Sequence, residues 1–218
     1  VDISGTRVVT GRQQFELGGA PDILYYDLAE LTSSITFTPK HYIDASDSEF
    51  GLALAIENNY LVTSAYLANF PGGTINQGIV YIYDIDNWGS DQEISWLDYD
   101  WRIFHMWPAG ATVADYPYSP ADDRFGELIR LQNGLLYVAD EAETTPYFGL
   151  GIGSPVGGGG HVRIFDLNNL PTTTSNINRN LADTTLVPYT AYYSSPAYTL
   201  GWMDVSKSGQ RLVMTVGN

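Results

Sequence analysis

Cysteine is absent from the 218 residues. That excludes a disulfide framework, a thiolate metal site and thiol redox chemistry. Positive charge is also scarce. Ten Lys and Arg stand against 25 Asp and Glu, a net charge of 10 − 25 = −15, and no Lys/Arg cluster occurs anywhere. A chain of this kind repels nucleic-acid phosphates and anionic membranes, because binding either one needs a basic patch. No apolar run approaches the roughly 20 residues of a spanning helix, so no membrane span is expected. Asn-x-Ser/Thr sequons are missing, which argues against a eukaryotic secreted glycoprotein. Neither an initiator Met nor a targeting signal is seen; the chain opens directly on a strand-like run, "VDISGTRVVTG". The three histidines, His41, His105 and His161, are far apart and lack metal-ligand spacing.

Apolar spacing of the helical kind is poor, whereas Gly (22), Pro (11) and Tyr (16) are abundant. β-Branched and aromatic runs bounded by Gly, Asn, Asp and Ser recur, as in "DILYYDL", "GIVYIYDI" and "HVRIFDL". The expectation is an all-β chain.

Its organisation is repetitive. Phe50-Gly51, Phe125-Gly126 and Leu200-Gly201 lie 75 residues apart, each followed by a strand, a tight turn and a second strand. The turns fall at Asn58-Asn59, Asn133-Gly134 and Ser208-Gly209, with a fourth at Ser4-Gly5 in the opening stretch; such residues tolerate the positive φ of two-residue hairpins. Third strands end at Tyr26-Asp27-Leu28, Tyr83-Asp84-Ile85 and Phe165-Asp166-Leu167. Fourth strands are expected in Ser33–Tyr42, in Gln92–Trp101 and within Thr185–Tyr193. The expected division is 1–49, a partial first repeat; 50–124 and 125–199, two full repeats; and 200–218, the start of a fourth.

Four antiparallel strands per repeat is the unit of a β-propeller blade. The stretches "FGLALAIENNYLVTSA…GIVYIYD" and "FGELIRLQNGLLYVAD…GGHVRIFD" resemble the FG-GAP repeat family, whose best-known members are the propellers of integrin α-subunits. The resemblance covers nearly the whole chain. It implies an all-β propeller with about three four-stranded antiparallel blades. Gly after Phe would permit close strand approach near the axis, with Phe wedged between blades. Propellers close with about four to eight blades, so the reading is a segment of a larger propeller or one that closes as a homo-oligomer.

FG-GAP blades of the integrin kind often hold calcium in an Asp-rich loop between their first two strands. In this chain short turns stand there, too small to offer about six oxygen ligands, so calcium is not carried over and no cofactor is expected. A weaker calcium candidate is "DIDNWGSD", with Asp84, Asp86 and Asp91; Trp88 stands where a ligand is needed, which favours a solvated loop with Asp84 bonding local backbone. Asp44/Asp47 and Asp122/Asp123 precede the two Phe-Gly pairs. Their recurrence with the repeat favours turn closure over catalysis. "GSPVGGGG" lacks the Lys-Ser/Thr of a phosphate loop, and Gly-x-Ser-x-Gly is absent. Trp96, Trp101, Phe104 and Trp107 are expected in blade-to-blade packing. Loop aromatics suited to partner binding are Tyr147, Phe148, Tyr189, Tyr192 and Tyr193, with Trp107 as the alternative use of that residue.

The expected function is a non-enzymatic module for structural assembly or adhesion: a surface adhesin, an extracellular appendage, or a viral tail or fibre protein. Its partners would be protein subunits or surface glycans, and its place extracellular, on a cell surface or on a virion. The alternative is a polysaccharide-active enzyme with carboxylates near Asp115, Tyr116, Asp122 and Asp123. An intracellular scaffold is a third reading, told apart by location.

Overall fold

The computed structural model describes residues 1–11, 23–30, 41–44, 50–66, 68, 78–90, 93–104, 124–140, 161–178, 182, 184–186, 199–206 and 212–217. Among these residues the chain is all-β, with three single-turn 3₁₀ segments. In order the strands are β1 (Asp2–Ser4), β2 (Arg7–Gly11), β3 (Ile23–Asp27), β4 (His41–Asp44), β5 (Phe50–Glu57), β6 (Tyr60–Ala65), β7 (Ile79–Asp84), β8 (Glu93–Ser95), β9 (Trp101–Phe104), β10 (Leu128–Gln132), β11 (Leu135–Asp140), β12 (His161–Asp166), β13 (Asn176–Asn178), β14 (Thr184–Leu186), β15 (Thr199–Val205) and β16 (Leu212–Gly217). They form four sheets in chain order: β1-β2-β3-β4, β5-β6-β7-β9, β10-β11-β12-β14 and the hairpin β15-β16. Neighbouring strands within each of these sets are antiparallel.

Two-residue turns set the hairpin registers. Asn58 (φ 53°), Asn133 (φ 55°) and Gly134 (φ 74°) occupy the left-handed region that Asn and Gly tolerate. In the first sheet Ser4 pairs with Arg7, so the turn is Gly5-Thr6 and not Ser4-Gly5. Gly5, at φ 60°, takes the first turn position held elsewhere by Asn58 and Asn133. Ser208-Gly209 lies outside the described residues.

Two strands depart from the repeat. β8 leaves the second sheet's connection and pairs parallel with β4 of the first sheet. β13 leaves the third sheet's connection and pairs parallel with β9 of the second. The expected fourth strand in Gln92–Trp101 is therefore two segments with different destinations. A turn separates them, in which the Asp98 amide donates to the Ser95 carbonyl at 2.9 Å, and the sheet's own outer strand begins only at Trp101. Likewise His41–Asp44 catches only the end of the expected Ser33–Tyr42, residues 33–40 of which lie outside the described set.

Period-two alternation buries both faces of the second sheet. On β7, Ile79, Tyr81 and Tyr83 join Val9, Ile23, Tyr25 and Ile43 of the first sheet in one apolar layer. Val80 and Ile82, between them, join Phe125, Ile129, Leu136 and Val138 of the third sheet in another. A third layer sets Tyr137, Ala139 and Val162 against Met203 of the fourth. Such sheets have no private core and are stable only as neighbours. The layers join first to second, second to third and third to fourth; no layer among the described residues joins fourth back to first.

The Phe-Gly pairs sit in these layers. Phe50 and Phe125 are fully buried, each burial contributing about 2–3 kcal/mol. Gly51 (φ 84°) and Gly126 (φ 95°) have backbone angles that favour glycine. A Cβ on Gly126 would lie 2.7 Å from Ser64 Cβ and 2.8 Å from Val80 Cγ2, so its missing side chain is what lets the second and third sheets approach. The Ser64 hydroxyl donates to the Gly126 carbonyl at 2.6 Å across that contact.

Candidate functional site

The Asp that closes each third strand has a local task. Asp84 Oδ1 accepts from the Asp86 amide at 3.2 Å and from Asn59 Nδ2, in the hairpin turn, at 2.9 Å. Asp27 Oδ1 accepts from the Ala29 amide at 3.0 Å and from the Thr6 hydroxyl at 2.9 Å. Asp166 accepts from the Asn168 amide at 2.9 Å and from Asn169 Nδ2 at 2.7 Å. In each case the next residue's amide donates to the turn: Leu28 to Thr6 O, Ile85 to Asn59 O and Leu167 to Gly134 O, all at 2.8 Å. The recurring Tyr/Phe-Asp-Leu/Ile is thus a latch that fastens a 3₁₀ turn to the preceding hairpin, a capping use of carboxylate.

A second set of carboxylates ties sheet to sheet at the hairpin end. Asp2 Oδ2 accepts from the Ile56 amide at 2.8 Å, and Ser4 Oγ from the Asn58 amide at 3.1 Å. Glu57 accepts from the Asn133 and Gly134 amides, both at 2.7 Å. Arg7 donates to the Asn58 carbonyl and pairs with Asp86 at 2.8 Å. Sequence reasoning did not single out Asp2, Arg7 or Glu57. Their partners lie 51 to 79 positions away, and only the repeat length offered a signal.

The first strands of the four sheets line a polar recess of about 280 Å³, with Asp2, Leu54, Arg130, Gln132, Asp204 and Val205 on its wall. Arg130 Nε lies 3.6 Å from Asp204 Oδ1, Arg130 Nη1 donates to the Ile129 carbonyl and Asp204 accepts from the Val205 amide. Asp2, Arg130 and Asp204 thus all bond within the chain. The recess can hold a small polar ligand, but among the described residues it sets no nucleophile beside a base. No group of three His, Cys, Asp or Glu side chains able to hold a metal ion occurs among the described residues.

Of the residues expected to be functional, Asp84 and Asp86 take the latch and ion-pair places above, while Asp91 lies outside the described residues. So do Trp107, Tyr147, Phe148, Tyr189, Tyr192 and Tyr193, along with Asp47, Asp115, Tyr116, Asp122, Asp123 and His105. Asp44, His41 and His161 lie on β4 and β12. Trp96 packs on the first layer, Phe104 lies within it and Trp101 packs on the second. Trp101 Nε1 donates to the Pro171 carbonyl at 2.9 Å, and Arg102 Nε to Asn176 Oδ1 at 2.7 Å; these bonds hold the incoming β13. Arg102 also covers the Tyr99 and Phe104 rings, at 5.3 and 5.0 Å from their centroids. Tyr83 is buried and donates to the Trp96 carbonyl at 2.8 Å. Burial, followed by the nearby Tyr81, Asp98, Tyr99 and Asp100, holds its pKa well above the usual phenol value.

No helix among the described residues is long and apolar enough to cross a membrane. No protein-family model matches the chain, and no curated protein matches it.

Proposed function

We propose that the chain is a non-enzymatic β-propeller module of the FG-GAP kind, serving structural assembly or adhesion outside the cell. Its sheets are the blades, and its partners are protein subunits of a larger assembly or surface glycans. The setting is a cell surface, an extracellular appendage or a virion, and no resident cofactor is required. One observation carries the reading: the carboxylates that recur with the repeat, Asp27, Asp84 and Asp166, are taken up as latches, while Asp2 and Glu57 tie one sheet to the next. Acid–base work asks for a single convergent pair, whereas the latch aspartates do the same fastening in three successive sheets. Consecutive sheets that share apolar layers are how propeller blades stack.

The test is a parallel assay of the purified chain. Retention on a glycan array, or in particles or appendages recovered from the source, supports the module. Depolymerisation of a polysaccharide that is lost in Asp122→Ala would overturn it in favour of the enzyme.

A further inference from the structure

One hairpin turn is chemically unlike the others. Asn133-Gly134 is the one Asn-Gly pair in the sequence, and it makes the two-residue turn between β10 and β11, flanked by the pair Gln132 and Leu135. Asn-Gly is reactive because glycine has no Cβ to screen its own nitrogen, so that nitrogen can attack the side-chain amide before it. The reaction balances with water alone. The Gly134 amide gives its proton to solvent base, its nitrogen bonds to Asn133 Cγ, and the Cγ–Nδ2 bond breaks to release ammonia. Water then opens the five-membered imide at either carbonyl. The product is aspartate, or an isoaspartyl link in which the main chain runs through Cβ. Asn133 is exposed, so water can enter and ammonia can leave.

The fold holds the groups that this reaction must move. Glu57 Oε2 accepts from the Gly134 amide and Glu57 Oε1 from the Asn133 amide, both at 2.7 Å. The Gly134 carbonyl accepts from the Leu167 amide at 2.8 Å. Asn168 Nδ2 lies 2.6 Å from the place a Cβ on Gly134 would take. The attacking species is an amide anion, and a carboxylate in contact opposes it twice: it holds the proton, and it repels the negative charge. The earlier hairpin has the same shape without the same chemistry. Asn58 (φ 53°) matches Asn133 (φ 55°), but Asn59 follows it with a Cβ, and the neutral Ser4 Oγ holds its amide at 3.1 Å.

We propose that Asn133 is a deamidation site and that Glu57, reaching over from the second sheet, is the group that restrains it. The same two hydrogen bonds then tie the sheets and protect the turn. Conversion of Asn133 sets a second carboxylate beside Glu57, and the isoaspartyl form adds a main-chain atom to a two-residue turn whose length fixes the register. Both changes undo the tie. Its loss is therefore self-reinforcing: an opened grip speeds the modification that keeps it open.

The test is incubation of the intact chain at mildly alkaline pH, with aspartate and isoaspartate at position 133 read by chromatography and mass spectrometry of its peptides. Glu57→Gln keeps the size of the side chain and removes its charge. It is expected to convert Asn133 about tenfold faster than the parent chain, the scale of one partly exposed charged hydrogen bond. Asn58, read in the same samples, is the internal reference and is expected to stay slow in both proteins. The parent chain unfolded in urea is expected to convert Asn133 faster than the folded chain does. A gain at Asn133 in Glu57→Gln no greater than the gain at Asn58 overturns the proposal, since the variant would then act by loosening the fold at large. So do equal rates at Asn133 in the folded and the urea-unfolded parent, which would mean that the turn is not restrained at all.

Discussion

Replacing Gly126 by alanine puts a number on the close approach of the second and third sheets. Two costs add. At φ 95° the backbone is in a region that L-residues avoid, at about 1–2 kcal/mol. The new Cβ would also sit 2.7 Å from Ser64 Cβ and 2.8 Å from Val80 Cγ2, both in buried residues. Moving such neighbours costs roughly 1–3 kcal/mol. Lower entropy of the unfolded chain returns about 0.4–1 kcal/mol, leaving a net loss of roughly 1–4.5 kcal/mol. Gly89→Ala is the control, since Gly89 also has positive φ (58°) but nothing within 4 Å of its would-be Cβ. It is expected to lose no more than about 1 kcal/mol. Urea unfolding of the three proteins, followed by tryptophan fluorescence, reads the difference as a fall in midpoint at constant slope. If Gly126→Ala and Gly89→Ala differed by less than about 0.5 kcal/mol, the size of an ordinary surface effect, steric contact would not be what glycine serves there.

The tie from Glu57 to the next hairpin predicts that Glu57→Ala costs about 1–2 kcal/mol, at the low end for charged hydrogen bonds because the carboxylate is partly exposed. Amide exchange at Asn133 and Gly134 should rise, and unchanged exchange would count against the tie. Ile177→Ala should cost about 2–4 kcal/mol, as for a buried isoleucine, and should loosen β9 before β6 or β7 in native-state exchange. Tyr83 titrates later in the folded chain than in the unfolded one, because its pKa is raised by burial. Above the ordinary phenol value the unfolded state therefore binds fewer protons, and stability falls as pH rises. Tyr83→Phe should flatten that alkaline decline while losing the bond to Trp96, worth about 0.5–1.5 kcal/mol; an alkaline limb as steep as before would refute the assignment.

The all-β character was legible because its signals are local. Alternation in "IVYIYD" and "HVRIFD" specifies strands buried on both faces, and Asn-Asn or Asn-Gly specifies a turn. The exchanged strands were not legible. Glu-Ile-Ser and Asn-Ile-Asn are three residues each, with nothing local to say which sheet they join, and Glu93–Ser95 reads as well as the start of an outer strand. What decides is the turn at Ser95–Asp98 and the row of Ile23 and Ile43, some 50 to 70 residues upstream in the chain. Glu57 was invisible for a similar reason: an exposed-looking Glu before a turn has no signature, and its amide partners are 76 and 77 positions away. The latch aspartates lay between these cases, since their recurrence was visible but the hairpin turn as second partner of Asp27 and Asp84 was not.

Both kinds of tie between sheets run in the same sense along the chain. At the hairpin end, side chains of the earlier sheet accept from backbone amides of the later one, as Asp2 and Ser4 do for the second sheet and Glu57 does for the third. At the outer edge, the later sheet lends a strand to the earlier one. The first-to-second and second-to-third junctions are therefore each fastened at two distant points, and neither fastening can be supplied by the sheet that needs it. A nearest-neighbour stack built this way has polarity: its sheets are not interchangeable at their two faces. Contacts that complete such a stack are of the head-to-tail kind, which close into rings or propagate.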